Sequence, residues 1–157
     1  MRLRPLLVCL SLALAAPPAE AQGSGSAMMT GSVLTAITIS GSDLVFGNVL
    51  PTESKRVAAS AGGRFVLSMA PATPVTIQYA LPASLGPGVA LGAWELLSNP
   101  LNDPASAQAI PVASTSGSFT ASTATGTLYL WVGATVTTTN AGIGSYSQPI
   151  TLTVTYN

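Results

Sequence analysis

The final residues of the chain alternate apolar and polar side chains without interruption. The apolar set is Ile150, Leu152, Val154 and Tyr156, and threonine occupies positions 151, 153 and 155. Successive side chains of a β-strand point to opposite faces, so this pattern predicts a strand with one face toward a core. A shift of one residue would turn every apolar side chain toward solvent, and the register of this strand is therefore strongly specified.

The first 21 residues have the pattern of a secretory signal peptide. Arg2 and Arg4 precede an apolar run of eleven residues, 6–16, and Ala19-Glu20-Ala21 forms a small-residue cleavage site. A run of this length is too short to cross a bilayer, for which about 20 residues are needed. We therefore expect an exported protein without direct membrane insertion, found in the periplasm and then at the cell surface or outside the cell.

Charged side chains are scarce in the predicted mature chain. They are Lys55, Arg56, Arg64, Asp43, Glu53, Glu95 and Asp103, which gives a net charge of 3 − 4 = −1. Seventeen serines and 18 threonines supply the polar surface instead. No basic patch is present to bind nucleic acid or anionic lipid. The one cysteine, Cys9, lies in the signal peptide, so packing and strand pairing must stabilise the fold without disulfides.

The composition also excludes most catalytic chemistry. The chain has no histidine, and the predicted mature chain has no cysteine, which removes Ser-His and Cys-His nucleophiles and nearly all zinc sites. Asp43 with Glu53, or Glu95 with Asp103, are the carboxylate pairs that a glycosidase would need. Solvated loop charges are the simpler interpretation of these four residues. We predict that the protein is not an enzyme and uses no cofactor or metal.

Several other stretches predict short strands between Gly- and Pro-rich turns. The predicted strands are 33–40, 43–47, 64–69, 75–81 and 127–136, with a short strand or turn at 94–97. The first two are also compatible with one strand that has a bulge at Gly41. Lys55 and Arg56 are predicted to lie in an exposed loop or edge. These features predict one antiparallel β-sandwich domain over 33–157, preceded by a flexible Gly/Ser-rich extension at 22–32.

Three stretches together resemble a known family. They are ITISGSDLVFGNVLP (37–51), RFVLSM with PVTIQYALP (64–69 and 74–82), and VGATVTTTNAGIGSYSQPITLTVTYN (132–157). They resemble the secreted bacterial domain of unknown function 4402, which is similar to spore coat protein U and to chaperone–usher pilus subunits. In pilus subunits the C-terminal strand carries a penultimate tyrosine and a glycine fourteenth from the end. Here Tyr156 is penultimate and Gly144 is fourteenth from the end (157 − 144 + 1).

The resemblance implies an immunoglobulin-like, pilin-like sandwich that lacks one strand. An extended segment from a periplasmic chaperone or from the next subunit would fill the gap. The implied function is a structural subunit of a Gram-negative surface fibre or coat, assembled by donor-strand exchange with copies of itself or related subunits and delivered by a chaperone and an outer-membrane usher. The implied subunit- and chaperone-binding strand holds Gly144, Ile150, Leu152, Val154 and Tyr156. The implied donor lies within 28–39, with Val33, Ile37 and Ile39 as anchors.

Two alternatives stay open. The stretch from Val33 to Ile39 suits an intramolecular first strand as well as a donor strand. The alternative function is a self-complete monomeric sandwich that binds carbohydrate or another surface. Its candidate contacts are the aromatic side chains Trp94, Tyr129, Trp131 and Tyr146, although a sandwich core also needs large rings.

Overall fold

A computed structural model describes residues 33–157, and these residues form two antiparallel β-sheets with a common core. The predicted all-β sandwich is thereby confirmed. The predicted signal peptide (1–21) and the Gly/Ser-rich extension (22–32) lie outside the described residues. Within 33–157 the helical elements are two 3-10 helices of three residues each, Ala59–Ala61 and Pro104–Ser106. No helix in this part of the chain has the length and apolar character needed to cross a membrane.

The strands form one large and one small sheet. In chain order they are β1 (Thr38–Ser42), β2 (Ser54–Val57), β3 (Gly63–Ser68), β4 (Val75–Ala80), β5 (Ser84–Gly86), β6 (Val89–Asn99), β7 (Gln108–Ile110), β8 (Ser116–Ala121), β9 (Thr127–Thr138) and β10 (Thr151–Tyr156). The first sheet has the order β1-β3-β9-β6-β5, with β2 also paired to β9 and β7 to β6. The second sheet has the order β10-β4-β8.

The core lies between the facing sides of the two sheets. Its fully buried side chains include Leu67 and Leu130 from the first sheet and Val75 and Ile77 from the second, all 0% exposed. Burial of an aliphatic side chain of this size stabilises the fold by roughly 1.5–3 kcal/mol relative to exposure. Strand β9, at the centre of the first sheet, is buried on both faces from Leu130 to Ala134, where its continuous apolar sequence predicts it.

Four predicted strands agree with the structure within a few residues: 64–69 (β3), 75–81 (β4), 127–136 (β9) and the alternating terminus (β10). The predicted strand at 33–40 is displaced, because only Thr38–Ser42 form β1. Gly41 pairs with Phe65 in an unbroken register, so the bulge considered at this glycine is absent. Lys55 and Arg56 belong to β2, which pairs along one side with β9.

The predicted strand at 43–47 is wrong. These residues are irregular, with Leu44 and Phe46 half-buried, and Gly47 has a φ of +67°, a left-handed conformation that ends an extended chain. The short strand suggested at 94–97 is part of the much longer β6. This strand contains a register shift between Gly92 and Glu95, where Ala93 has a φ of +45°. Such a bulge interrupts the alternation on which a sequence prediction depends.

Candidate functional site

Strand β10 forms one edge of the second sheet. It pairs with β4 along one side, and no other strand among residues 33–157 pairs with its second side. Leu152 lies opposite Tyr79 and Val154 lies opposite Ile77, so its apolar face meets the core. Leu152, Val154 and Tyr156 are half-buried, whereas the intervening threonines are exposed. The apolar side chains of β10 thus pack on the core, and their side toward the open edge of the sheet is not covered by another strand of the described residues.

Two hydrogen bonds show which way the backbone groups of β10 point. The Asn157 amide donates to the Pro74 carbonyl oxygen (3.2 Å), so odd-numbered residues of β10 turn their backbone groups toward β4. The Leu81 amide donates to the Thr115 carbonyl oxygen (2.7 Å), so odd-numbered residues of β4 face β8 and even-numbered ones face β10, in agreement. The amide and carbonyl groups of residues 152, 154 and 156 therefore point to the open edge.

Strand β1 forms the corresponding edge of the first sheet. The Met69 amide donates to the Gly126 carbonyl oxygen (2.8 Å), which places the odd-numbered backbone groups of β3 toward β9 and the even-numbered ones toward β1. By the register of β1 with β3, the backbone groups of Ile39 and Gly41 then point away from β3. Both sheets thus end in a strand with outward backbone groups, and in β10 these belong to the residues whose side chains pack on the core.

The two edges lie on the same side of the sandwich. The Tyr156 hydroxyl at the end of β10 donates to the carbonyl oxygen of Thr35 (2.6 Å), only three residues before β1. Three residues span at most about 11 Å, so the ends of β1 and β10 are neighbours. Ile37 fills part of the space between them, half-buried against the core. We name the side of the sandwich between the open edges of β1 and β10 the strand gap.

An apolar groove continues from the strand gap. It has a volume of about 1030 Å³ and is bordered by the end of β1 and by irregular residues within 43–51 and 141–150, the latter ending just before β10. Its floor includes Phe65, Leu91, Trp94 and Val136 from the first sheet, and Asp43 is the one charged residue among its lining. A groove with this lining favours apolar, uncharged side chains.

The residues proposed for the C-terminal binding strand fall into two environments. Leu152, Val154 and Tyr156 share the open edge of β10, and Ile150 is half-buried just before it, against the core. Gly144 is exposed in the irregular segment 139–150, and a Cβ atom there would contact nothing within 4 Å. The structure therefore brings the four apolar residues together and leaves the glycine apart from them.

The residues proposed as donor anchors are also divided. Ile39 lies in β1 opposite Leu67, and Ile37 packs on the core of its own chain, which is the intramolecular alternative for these two residues. Val33 is fully exposed at 101%. A donor role for 33–39 in a second copy stays a prediction. Sequence reasoning missed the contact of Tyr156 with Thr35, because the two residues are 121 positions apart and no local pattern reports such a contact.

Glu95 and Asp103, one of the two carboxylate pairs considered for catalysis, are engaged in structural contacts. Glu95 forms an ion pair with Arg56, and this guanidinium lowers the pKa of Glu95 below its ordinary value. The Ser106 hydroxyl donates to Asp103 (2.6 Å) and likewise lowers the pKa of that carboxyl. Neither carboxylate is held protonated, as a general acid requires. Over residues 33–157 no group of three or more potential metal ligands is present.

The four candidate aromatic side chains do not share one face. Tyr129 and Trp131 stack with ring centroids 6.0 Å apart, on the side of β9 opposite its core-facing leucines, and Trp131 is only 4% exposed. Trp94 and Tyr146 instead line the groove, where the Tyr146 hydroxyl donates to the Gly142 carbonyl oxygen (2.8 Å). A continuous aromatic platform for sugar stacking is therefore not formed by these residues.

Comparison with models of known protein families, with curated proteins and with solved structures finds no match to this chain. The function is therefore inferred from the site itself and from the sequence pattern.

Proposed function

We propose that this chain is a structural subunit of a bacterial surface fibre or coat, assembled by strand exchange at the open edge of β10. The observation that carries the proposal is this edge. Residues 152, 154 and 156 turn amide and carbonyl groups outward without a strand partner in the described part of the chain, and their side chains are apolar and half-buried. One added strand would satisfy both features at once.

The physical cost of the open edge supports assembly over a solitary existence. Unpaired strand edges are templates for pairing with another chain, and proteins usually protect them with charges, prolines or covering elements. Strand β10 carries no charge and no proline between Thr151 and Tyr156. Each ladder hydrogen bond contributes roughly 0.5–1.5 kcal/mol, and each apolar side chain that becomes fully buried adds to this.

The strand order supports the finer interpretation of the fold. Sheets in the order β1-β3-β9-β6 and β10-β4-β8 suit an immunoglobulin-like sandwich in which the strand next to β10 is missing. A periplasmic chaperone would protect this edge by the same strand addition, and an outer-membrane usher would receive the subunit. Both partners follow from the resemblance and from the predicted export of the chain.

A strand-capture experiment tests the proposal. The full chain is expressed, purified from the periplasm and mixed with a labelled peptide of residues 33–42 (VLTAITISGS). We expect a complex that survives on unboiled denaturing gels and slower hydrogen exchange of the Leu152, Val154 and Tyr156 amides. A matched peptide with Ile37→Asp and Ile39→Asp should form no complex, because its anchors cannot enter an apolar gap.

The contrary result is equally clear. A monomer that takes up neither peptide at any concentration, and whose β10 edge amides exchange at an unchanged rate, would contradict strand exchange. Such a result would favour the self-complete monomer as the functional form.

A further inference from the structure

The hydroxyl group of Tyr156 joins three separate parts of the chain. It donates to the carbonyl oxygen of Thr35 (2.6 Å) and accepts from the amide of Ala70 (2.7 Å), in the connection between β3 and β4. Thr35 lies within residues 33–37, which precede β1 and which we name the N-terminal arm. The next-to-last residue of the chain thus holds this arm at the C-terminal end of the open edge of β10.

The arm has little else to hold it. Ile37 is half-buried against the core, but Val33 is fully exposed and Leu34 is 44% exposed. Across residues 33–157, no backbone hydrogen bond connects the arm to β10. The arm therefore occupies one end of the strand gap without completing the ladder there. One side-chain hydrogen bond and one apolar contact are its main attachments.

We propose that the N-terminal arm is an autoinhibitory occupant of the strand gap and that the Tyr156 hydroxyl is the latch that keeps it there. This inference rests on the proposed function. An incoming strand would form backbone hydrogen bonds with residues 152, 154 and 156 that the arm does not form, so it displaces the arm once it is present. Until then the latched arm shields the end of the edge.

The latch has a quantitative consequence for assembly. When only a fraction of molecules has the arm released, the apparent dissociation constant for an incoming strand is the intrinsic one divided by that fraction. A hydrogen bond of ordinary strength changes such a fraction by roughly 2- to 12-fold. Loss of the Tyr156 hydroxyl should therefore strengthen strand capture, although it removes a contact from the free subunit.

The variant Tyr156→Phe tests the latch, because it removes the hydroxyl and retains the ring that packs on the core. A spin label attached at Val33→Cys reports the position of the arm. It enhances the paramagnetic relaxation of the backbone amides of Thr155 and of residue 156, whether residue 156 is tyrosine or phenylalanine. We expect this relaxation to weaken and the capture of the 33–42 peptide to tighten by roughly 2- to 12-fold. Tyr129→Phe is the matched control, since its ring stacks on Trp131 on the outer face of β9, away from the strand gap and the groove.

A second variant keeps the test decisive if Tyr156→Phe does not fold. Ile37→Ala weakens the other attachment of the arm and should shift both measurements in the same direction. If the paramagnetic relaxation is unchanged in the variants, the Tyr156 hydroxyl does not hold the arm and the latch is contradicted. If the arm is released but the variants capture the peptide no more tightly than wild type does, autoinhibition is contradicted. If the arm is released but neither wild type nor variants capture the peptide, the latch contact is confirmed and strand exchange is contradicted.

Discussion

The two halves of the first sheet are covered in different ways. The packed half, Gly63–Ser68 of β3 with 127–132 of β9, faces the second sheet, and its inner leucines Leu67 and Leu130 are 0% exposed. The groove half, β2 with 133–138 of β9 and 89–92 of β6, faces irregular chain from 43–51 and 141–150. A regular β-sheet covers the packed half, and segments without ladder hydrogen bonds cover the groove half.

This difference matters for the proposed function because the strand gap opens into the groove half. The irregular cover exposes large apolar side chains, such as Val45 at 69% and Ile143 at 105%. Segments with few buried contacts and no ladder open locally at low free-energy cost. A strand that enters beside β10 would therefore meet the regularly paired packed half at one end of the strand gap. At the other end it would meet the irregular segments, which open more readily.

The sharpest test of the comparison is one substitution made in each half. Leu130→Ala should lower the free energy of unfolding by about 2–5 kcal/mol, because a fully buried leucine leaves a cavity between two sheets. Leu91→Ala, on the inner face of the groove half and only half-buried, should cost less than about 1.5 kcal/mol. Urea denaturation of both variants measures the difference. Equal losses would show that the groove half is as tightly packed as the other.

The packed half of the first sheet, together with β4 and β10 of the second sheet, is also what the sequence predicts best. Strands β3, β4, β9 and β10 each carry an uninterrupted alternation or apolar run, and the local pattern suffices to predict them. Strand β8 was not predicted because its core-facing positions include Gly117 and Ala121, which leave Phe119 as the main apolar signal. A larger residue at 117 would clash with the ring of Tyr79, a contact visible only in the folded chain.

The groove half depends on features that local patterns do not report. In β6, Leu91 pairs with Val136 and Leu96 with Val132, so an odd and an even position face the same side across the bulge. An alternation with this shift does not predict a strand of eleven residues. For the candidate site, the apolar face of β10 follows from the sequence. The unpaired outer edge of β10 is known only from the order of the strands in the sheet.

The ion pair between Arg56 of the groove half and Glu95, just beyond it in β6, gives a second, smaller test. It spans β9 from β2 to β6, with the two side chains 61% and 34% exposed. Exposed pairs of this kind contribute about 0–1 kcal/mol, so Glu95→Gln should lower the free energy of unfolding by no more than that at neutral pH. The expected loss is small because solvent screens an ion pair with these exposures.

The pH dependence of this effect has a definite sign. The hydrogen bond from Arg56, followed by that from the Ala59 amide, lowers the pKa of Glu95 below its ordinary value of 4.5 in the folded state. The contribution is therefore present above pH 4.5 and is lost as the pH falls through the folded pKa. Wild type and Glu95→Gln should differ at pH 7 and converge in acid, with Asp43→Asn as the control. A difference that persists unchanged in acid would contradict the ion-pair explanation.

The smallest expected effect is at Gly144, which the resemblance assigns to the binding strand. No atom lies within 4 Å of a Cβ at this position, and its φ is not in the left-handed region, so Gly144→Ala should change the free energy of unfolding by less than about 0.5 kcal/mol. Gly117→Ala in β8 of the second sheet should cost about 1–3 kcal/mol, because its Cβ would lie 2.7 Å from Cζ of Tyr79. Denaturation of the monomer measures both.

If Gly144→Ala nevertheless weakens peptide capture, the glycine is required where an incoming strand approaches the groove. A large loss of monomer stability would instead show that segment 139–150 is held tightly in the free subunit.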